Sequence, residues 1–327
     1  MKVLTYIAWP VKAWRIPDRH VRLLRERFPH VEFVHVVTAQ DALQSIDGVD
    51  VSFSAFLTPQ MVARARRLQW VHSSAAAVDG LLPVEDLARR QIVVSNSRGI
   101  QAVPMAEQVM GGLLVLARRL NATLAAQREK RWIQDELCEE WPWMLAGRSM
   151  TIVGLGTTGH EIARRAHAFG MSVTGVRRRP DQPRPACVQR VVGPDQLAEA
   201  LRGCDVLVVT APSGLATKGM LGAEQLALLN PGAIVVNVAR ASIVDQDAMV
   251  SALRDGQLGG AVLDVFEHEP LEASSPLWSL PNVVITPHSS GFRASHWDDV
   301  TDLFSDNLSR FLRGDALRNL VDLDLGY

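Results

Sequence analysis

Three short stretches place an arginine, a carboxylate and a histidine each directly after an apolar run. They are Asn237-Val238-Ala239-Arg240, Asp264-Val265-Phe266-Glu267-His268-Glu269-Pro270 and Thr286-Pro287-His288. The runs themselves, Ala233 to Val238, Ala261 to Asp264 and Val283 to Thr286, read as strands, as does Asp205 to Thr210. If these strands lie parallel, the three groups converge at the carboxyl edge of one sheet, where ligands bind in such folds. The planar fork of an arginine meets a carboxylate bidentately, and an imidazole takes up and releases a proton near neutrality. Three unrelated polar loops are the plain alternative.

A second stretch supplies a place for a cofactor. Met150 to Val153 read as a buried strand, Gly154-Leu155-Gly156-Thr157-Thr158-Gly159 fits G-x-G-x-x-G, and an amphipathic helix follows. Gly154 permits the tight turn, Gly156 lets the backbone approach a pyrophosphate, and Gly159 lets the helix pack on its strand. A glycine-rich surface turn is the alternative, but the flanking strand and helix and a second strand at Ser172 to Val176 favour a dinucleotide. That second strand runs into Arg177-Arg178-Arg179. An acid there would bind a ribose 2′-hydroxyl, whereas arginine suits a 2′-phosphate, so NADP(H) is expected before NAD(H). A solvated basic loop is the other reading of these arginines. Ser73 to Asp79, mostly small residues after a strand, could bring amides close to an anion or form an ordinary packed turn.

The chain must hold these groups on a parallel α/β scaffold. Strands at Val3 to Ile7, Glu32 to Val36, Val51 to Phe53, Trp70 to Ser73 and Ile92 to Val94 alternate with helices after Pro17-Asp18 and from Thr58. Pro104 to Arg131 reads as one long helix with Met105, Val109, Leu113, Leu116 and Leu120 on a face. Gly111 and Gly112 inside it cost about 1 kcal/mol each relative to alanine, which implies close packing against another backbone. This helix and the Trp132, Trp141, Trp143 stretch read either as a subunit interface or as intramolecular packing. Asp181 to Pro194 reads as a loop broken by Pro183, Pro185 and Pro194.

The 327 residues, 47% hydrophobic and 21% charged, suffice for two domains. Lys and Arg number 34 against 35 Asp and Glu, so overall charge implies neither nucleic acid nor an anionic membrane as partner. Cys138, Cys187 and Cys204 form no C-x-x-C pair and suit a reducing cytoplasm. No metal-binding cluster is apparent. Met1 to Trp9 is brief and runs through Pro10 into charged residues, so it reads as a first strand and not a signal peptide. No stretch approaches the length of a membrane span.

On these residues the chain resembles the D-isomer-specific 2-hydroxyacid dehydrogenases, particularly their glyoxylate/hydroxypyruvate reductases. The resemblance runs from Leu145-Ala146-Gly147 through the glycine turn, then Asn237 to Arg240, Leu263 to Leu271, Pro276-Leu277-Trp278 and Asn282 to Gly291. It implies two Rossmann-like domains with parallel sheets and a cleft between them. Residues 1–99 plus 289–327 would bind substrate, and 100–288 would bind the dinucleotide. The implied reaction is NADPH-dependent reduction of small 2-oxo acids to D-2-hydroxy acids by a homodimer. By the same resemblance Arg240 would hold the substrate, His288 would exchange the proton, and Glu269 would orient His288. A carboxylate beside an imidazole favours its charged form. Thr157, Thr158, Ala211, Val238, Ala239, Asp264 and Ser290 would line the cofactor, with Gly154, Gly156, Gly159 and Arg177 to Arg179. Ala76 and Ala77 would offer amides to the substrate carboxylate. A dinucleotide-sensing interaction protein of this fold, and a dehydrogenase acting on another substrate, are the alternatives.

Two features depart from the family. Ala75, Ala77 and Ala241 stand where it usually has glycine, and alanine disfavours positive φ, so the shape of the substrate loop comes into question. His160-Glu161 is not a zinc motif, because Arg164 occupies the place of a second histidine. His72 and His296 read as satisfied core or surface residues, with an approach to the cleft as the alternative.

Overall fold

The structure, a computed structural model, describes residues 1–9, 11–78 and 80–323. The sequence readings that touch Pro10 and Asp79 lie outside the described residues. Along the chain run β1 (Lys2–Tyr6), α1 (Asp18–Arg27), β2 (Glu32–His35), α2 (Ala39–Ser45), β3 (Val51–Ser54), α3 (Pro59–Arg64), β4 (Trp70–Ser73), α4 (Val84–Arg89) and β5 (Val93–Asn96). Then come α5 (Ala102–Ala117), α6 (Leu120–Arg128), α7 (Gln134–Glu139), β6 (Ser149–Val153), α8 (Thr157–Ala168), β7 (Ser172–Val176) and β8 (Arg190–Val192). The remainder is α9 (Leu197–Leu201), β9 (Val206–Val209), α10 (Ala223–Leu226), β10 (Ala233–Asn237), α11 (Gln246–Arg254), β11 (Leu258–Leu263), β12 (Val283–Ile285) and α12 (His296–Arg313). The chain divides into two units, Met1–Ile100 with Arg293–Tyr327, and Gln101–Phe292.

In the first unit five strands pair in the order β2-β1-β3-β4-β5, all parallel. Alternate residues of each strand face opposite sides. Leu4, Tyr6, Val71 and Val94 enter one core with α2, α3 and α4, while Val3, Val51, Phe53 and Trp70 enter the other with α1 and α12. Phe304 of α12 stacks on Phe53 at 4.1 Å and on Trp70 at 5.5 Å. His72 lies fully buried within this sheet, its Nδ1 2.7 Å and its Nε2 3.3 Å from the hydroxyls of Ser95 and Ser97. It is a satisfied core histidine.

In the second unit seven parallel strands run β12-β11-β10-β9-β6-β7-β8. The chain starts in the middle at β6, moves outward through β7 and β8, then returns to β9 and moves outward the other way. That reversal between β6 and β9 is the switch point at which such sheets bind ligands. Ile152, Val206, Val208, Ile234, Val236 and Val262 pack under α5 and α8, whereas Val153, Leu207, Val209, Val235, Ala261 and Leu263 face the helices on the other side. Burial on both faces explains why these strands are continuous apolar runs. Gly112 brings α5 down on the sheet, since a Cβ there would lie 2.5 Å from Val262 Cγ1. Gly111 is different: a Cβ there would meet nothing within 4 Å.

Two expectations are corrected. Pro104 to Arg131 is not one helix but α5 and α6, bent by 71°. The carbonyl of Ala117, which a continuing helix would use, accepts the amide of Trp143 instead, and Arg119 takes a left-handed φ of +54° with its guanidinium on Glu140. Leu120 therefore falls past the bend and is exposed. The stretch Asp181 to Pro194 is not all loop, because Arg190–Val192 pairs with Thr174–Val176 as β8.

Burial lowers the pKa of His72 from 6.5 to about 3. A histidine held neutral in the folded state takes up its proton only on unfolding. Its contribution to stability is therefore full above pH 6.5 and is lost as pH falls toward 3. Urea unfolding between pH 6.5 and 5, before most carboxylates titrate, should show stability declining with acid by up to about 1.4 kcal/mol per pH unit from this residue. His72→Gln should flatten that decline; an unchanged slope would remove His72 as its source.

Candidate active site

The glycine turn is built by steric necessity. Gly154 adopts φ +104°, and a Cβ on it would lie 2.3 Å from the amide nitrogen of Ala211, at the end of β9. A Cβ on Gly159 would lie 2.4 Å from the carbonyl oxygen of Gly154, so the first turn of α8 rests directly on the loop. Thr210 Oγ1 donates to that same carbonyl at 2.6 Å. Gly156, by contrast, faces open space and precedes α8 without any side-chain cap. The first amides of α8 are thus offered outward beside the one glycine whose missing Cβ leaves room, which fits an anionic pyrophosphate. Thr157 is exposed and Thr158 half-buried at this helix start, and Ala211 is buried behind Gly154.

At the end of β7 the three arginines behave differently. Arg177 turns its Nη2 to the carbonyls of Gln182 and Pro183, the latter at 3.2 Å, and its amide donates to Val192. Its guanidinium shapes the following loop, and its Nε is buried with no hydrogen-bond partner among the described residues. Arg178 and Arg179 are exposed.

Arg240 follows β10 through a turn tied by a single side chain. Asn237, buried at the strand end, accepts the amide of Ala239 at its Oδ1 and donates from Nδ2 to the carbonyl of Arg240, both at 3.0 Å. Val238 and Ala239 are buried beneath, while Arg240 is half-buried with its Nη1 2.7 Å from the carbonyl of Ala239. Ala241 starts a short 3-10 turn. Among the described residues neither Ala241 nor Ala75 nor Ala77 has a positive φ. The alanines therefore fit the backbone they occupy without strain.

His288 and Glu269 meet. His288 Nδ1 lies 2.7 Å from Glu269 Oε2, and Glu269 Oε1 accepts the amide of Phe266 at 3.0 Å. Because Nδ1–H donates to the carboxylate, Nε2 is the ring atom left to exchange a proton with a ligand. Asp264, at the end of β11 and 1% exposed, receives Thr286 Oγ1 and the amides of Ser289 and Ser290. Its carboxylate is turned into the loop that carries His288. Ser290 is buried there.

Arg240, Glu269, His288, Asp264 and the glycine turn all stand at carboxyl ends of strands of the one seven-stranded sheet. Ala76 and Ala77 belong to the first unit. There Ala76 accepts Asn96 Nδ2 at 2.7 Å, and the amides of Ala76 and Ala77 have no acceptor among the described residues. His160 is exposed on α8, and His296 is buried between Trp14 and Trp297. Sequence reasoning did not identify Asn237 and Thr286 as anchors of the two turns. The available signal was a polar residue ending an apolar run.

The profile of the family described as "D-isomer specific 2-hydroxyacid dehydrogenase, NAD binding domain" matches residues 110–290. The chain is 31% identical over 326 residues to glyoxylate reductase of Thermococcus onnurineus, covering 95% of each. It is 28% identical over 304 residues to D-3-phosphoglycerate dehydrogenase of Methanocaldococcus jannaschii, covering 91% of this chain and 56% of that protein. A solved D-isomer specific 2-hydroxyacid dehydrogenase from Xanthobacter autotrophicus, in complex with NADPH and MES, superposes with a TM-score of 0.84 at 28% identity, covering 99% of both chains. Strand-end chemistry, glycine turn and these likenesses agree, and the chain belongs to the D-isomer specific 2-hydroxyacid dehydrogenases, enzymes that use a nicotinamide dinucleotide.

Proposed function

We propose that the protein reduces small 2-oxo acids, glyoxylate and hydroxypyruvate first, to D-2-hydroxy acids with NADPH. The observation that carries this reading is the His288–Glu269 contact of 2.7 Å on the sheet edge that also presents Arg240. The likeness to glyoxylate reductases supports the substrate class. The unit Gln101–Phe292 would hold the dinucleotide, with the amides of Thr157 and Thr158 on its pyrophosphate, and within the unit Met1–Ile100 with Arg293–Tyr327 the amides of Ala76 and Ala77 are those suited to a carboxylate. When bound, the nicotinamide supplies the hydride. Arg240 binds the oxo acid through its guanidinium and stabilises the charge that develops on the carbonyl oxygen. His288 gives that oxygen the proton from Nε2, while Glu269 accepts the hydrogen bond of Nδ1–H and so keeps the ring oriented. The three free cysteines suit a reducing compartment, and we assign the protein to the cytoplasm.

Purified protein with NADPH should oxidise the cofactor in the presence of glyoxylate or hydroxypyruvate, and silence across a panel of 2-oxo acids would overturn the reading. Arg240→Lys should lower kcat/KM about 100-fold or more, the scale of losing an aimed transition-state donor, while NADPH still binds. Near-normal turnover in that variant would take the substrate role from Arg240.

Cofactor choice rests on Arg178 and Arg179, which are exposed where β7 ends and the ribose of a bound dinucleotide would lie. The NADPH complex of the Xanthobacter relative supports the preference. Arg178→Ala should reduce kcat/KM for NADPH about 10- to 100-fold, the worth of a charged hydrogen bond, and leave NADH little changed. A wild-type enzyme that favours NADH would sink this assignment.

We further propose a homodimer formed through α5 and α6. Trp132 is 89% and Trp141 75% exposed, and an open concavity of about 500 Å³ lies on α5 between Gly111, Val115, Ser289 and Phe292. The open space over Gly111 is the approach route that a helix glycine provides for a second backbone. Light scattering should give twice the chain mass, and Gly111→Trp should shift the protein toward monomer by raising the dimer Kd at least about tenfold. A monomeric wild type would dispose of the interface.

A further inference from the structure

The loop Thr286 to Ser290 is held from one point on both sides of His288. Asp264 Oδ1 receives the Thr286 hydroxyl at 2.5 Å and the Ser289 amide at 2.9 Å, and the Ser290 amide bridges Oδ1 at 3.2 Å and Oδ2 at 3.0 Å. His288 lies between these anchors with φ +51°, a backbone region that L-residues other than glycine, asparagine and aspartate rarely adopt. A strained residue of this kind persists where its surroundings over-determine it. Asp264 is itself fixed, because its amide donates to the carbonyl of Asn237 at 3.0 Å and Thr286 donates to Leu263 at 2.9 Å. Its carboxylate is 1% exposed and would be costly to bury without these donors.

We propose that Asp264 is a positioning residue for His288: its carboxylate closes the loop on both sides of the histidine and holds the imidazole in the left-handed turn that puts Nδ1 on Glu269. This differs from the sequence expectation that Asp264 lines the cofactor. Without the carboxylate, the amides of Ser289 and Ser290 lose their acceptor, the turn relaxes toward negative φ, and the ring leaves Glu269. The inference rests on the reading of His288 as the proton donor, but the geometry it describes exists in the protein alone.

The test uses Asp264→Asn and, as a milder variant that removes one hydroxyl, Thr286→Val. In the protein without cofactor, ring ¹H–¹⁵N correlation spectra, with His288 identified by its loss in His288→Ala, report which ring nitrogen carries the proton. Wild type should hold the Nδ1–H form of His288. Asp264→Asn should shift the ring toward the Nε2–H form, as Glu269→Gln should, and Thr286→Val should shift it part of the way. With 2-oxo acid, Asp264→Asn should lower kcat about 100-fold, the scale of a misplacement near 1 Å, with NADPH Kd within about twofold. Thermal unfolding identifies any variant that is simply unfolded, and Thr286→Val then carries the test. An unchanged tautomer in both variants overturns the proposal, as does a raised NADPH Kd with kcat intact, which would make Asp264 a cofactor ligand. Full activity in His288→Ala would instead remove the acid assignment while leaving the tautomer readout standing.

Discussion

In-register parallel pairing across the seven-stranded sheet is the constraint on which the site depends. Val153 pairs with Val209, Val209 with Asn237, and Asn237 with Leu263, which in turn pairs with Ile285. Five strand ends are thereby brought to one level, and the residues that follow them emerge side by side. The glycine turn, Ala211, Arg240, Asp264 and His288 are neighbours for this reason and not because of any attraction among their side chains. Where the register brings two of these loops too close for a side chain, as at Gly154 against Ala211, glycine is the only residue that fits.

Much of this scaffold was legible because strands buried on both faces must be apolar throughout and can change to polar residues only where they leave the sheet. Ala233–Asn237 and Val206–Val209 carry that signal plainly. The elements that were misread lack a local cause. Arg118 and Arg119 are good helix formers, and the helix breaks there because Trp143, more than twenty residues on, takes the carbonyl of Ala117. The strand Arg190–Val192 is only three residues long and follows a proline-rich stretch, and its identity comes from pairing with β7. Local propensity cannot see either event.

The candidate site divides along the same line. Residue type pointed to Arg240, Glu269 and His288, since charged and titratable groups at strand ends stand out against the runs before them. Side-chain direction was not legible. Arg177 has the right type and place to meet a phosphate, yet its guanidinium closes on the carbonyls of Gln182 and Pro183. Asp264 likewise faces the loop after β12, a partner twenty-two residues away in sequence. Such partners are set by tertiary geometry, which no spacing rule contains.

The His288–Glu269 pair also shows what the scaffold must supply. The two side chains are 50% and 36% exposed, and an ion pair so open to water contributes little to stability because solvent screens it. It cannot by itself hold a histidine in a left-handed turn. The holding groups are the buried ones: Asn237 under Arg240 and Asp264 under His288, each 2% exposed or less and each satisfied by several hydrogen bonds. They are linked through the Asp264 amide and the Asn237 carbonyl on adjacent strands. The exposed groups are thus left open to solvent and ligand, while buried polar side chains at the strand ends carry the cost of keeping them in place. Rigidity at this edge comes from hydrogen bonds shielded from water, and the arginine and the histidine share one source of it.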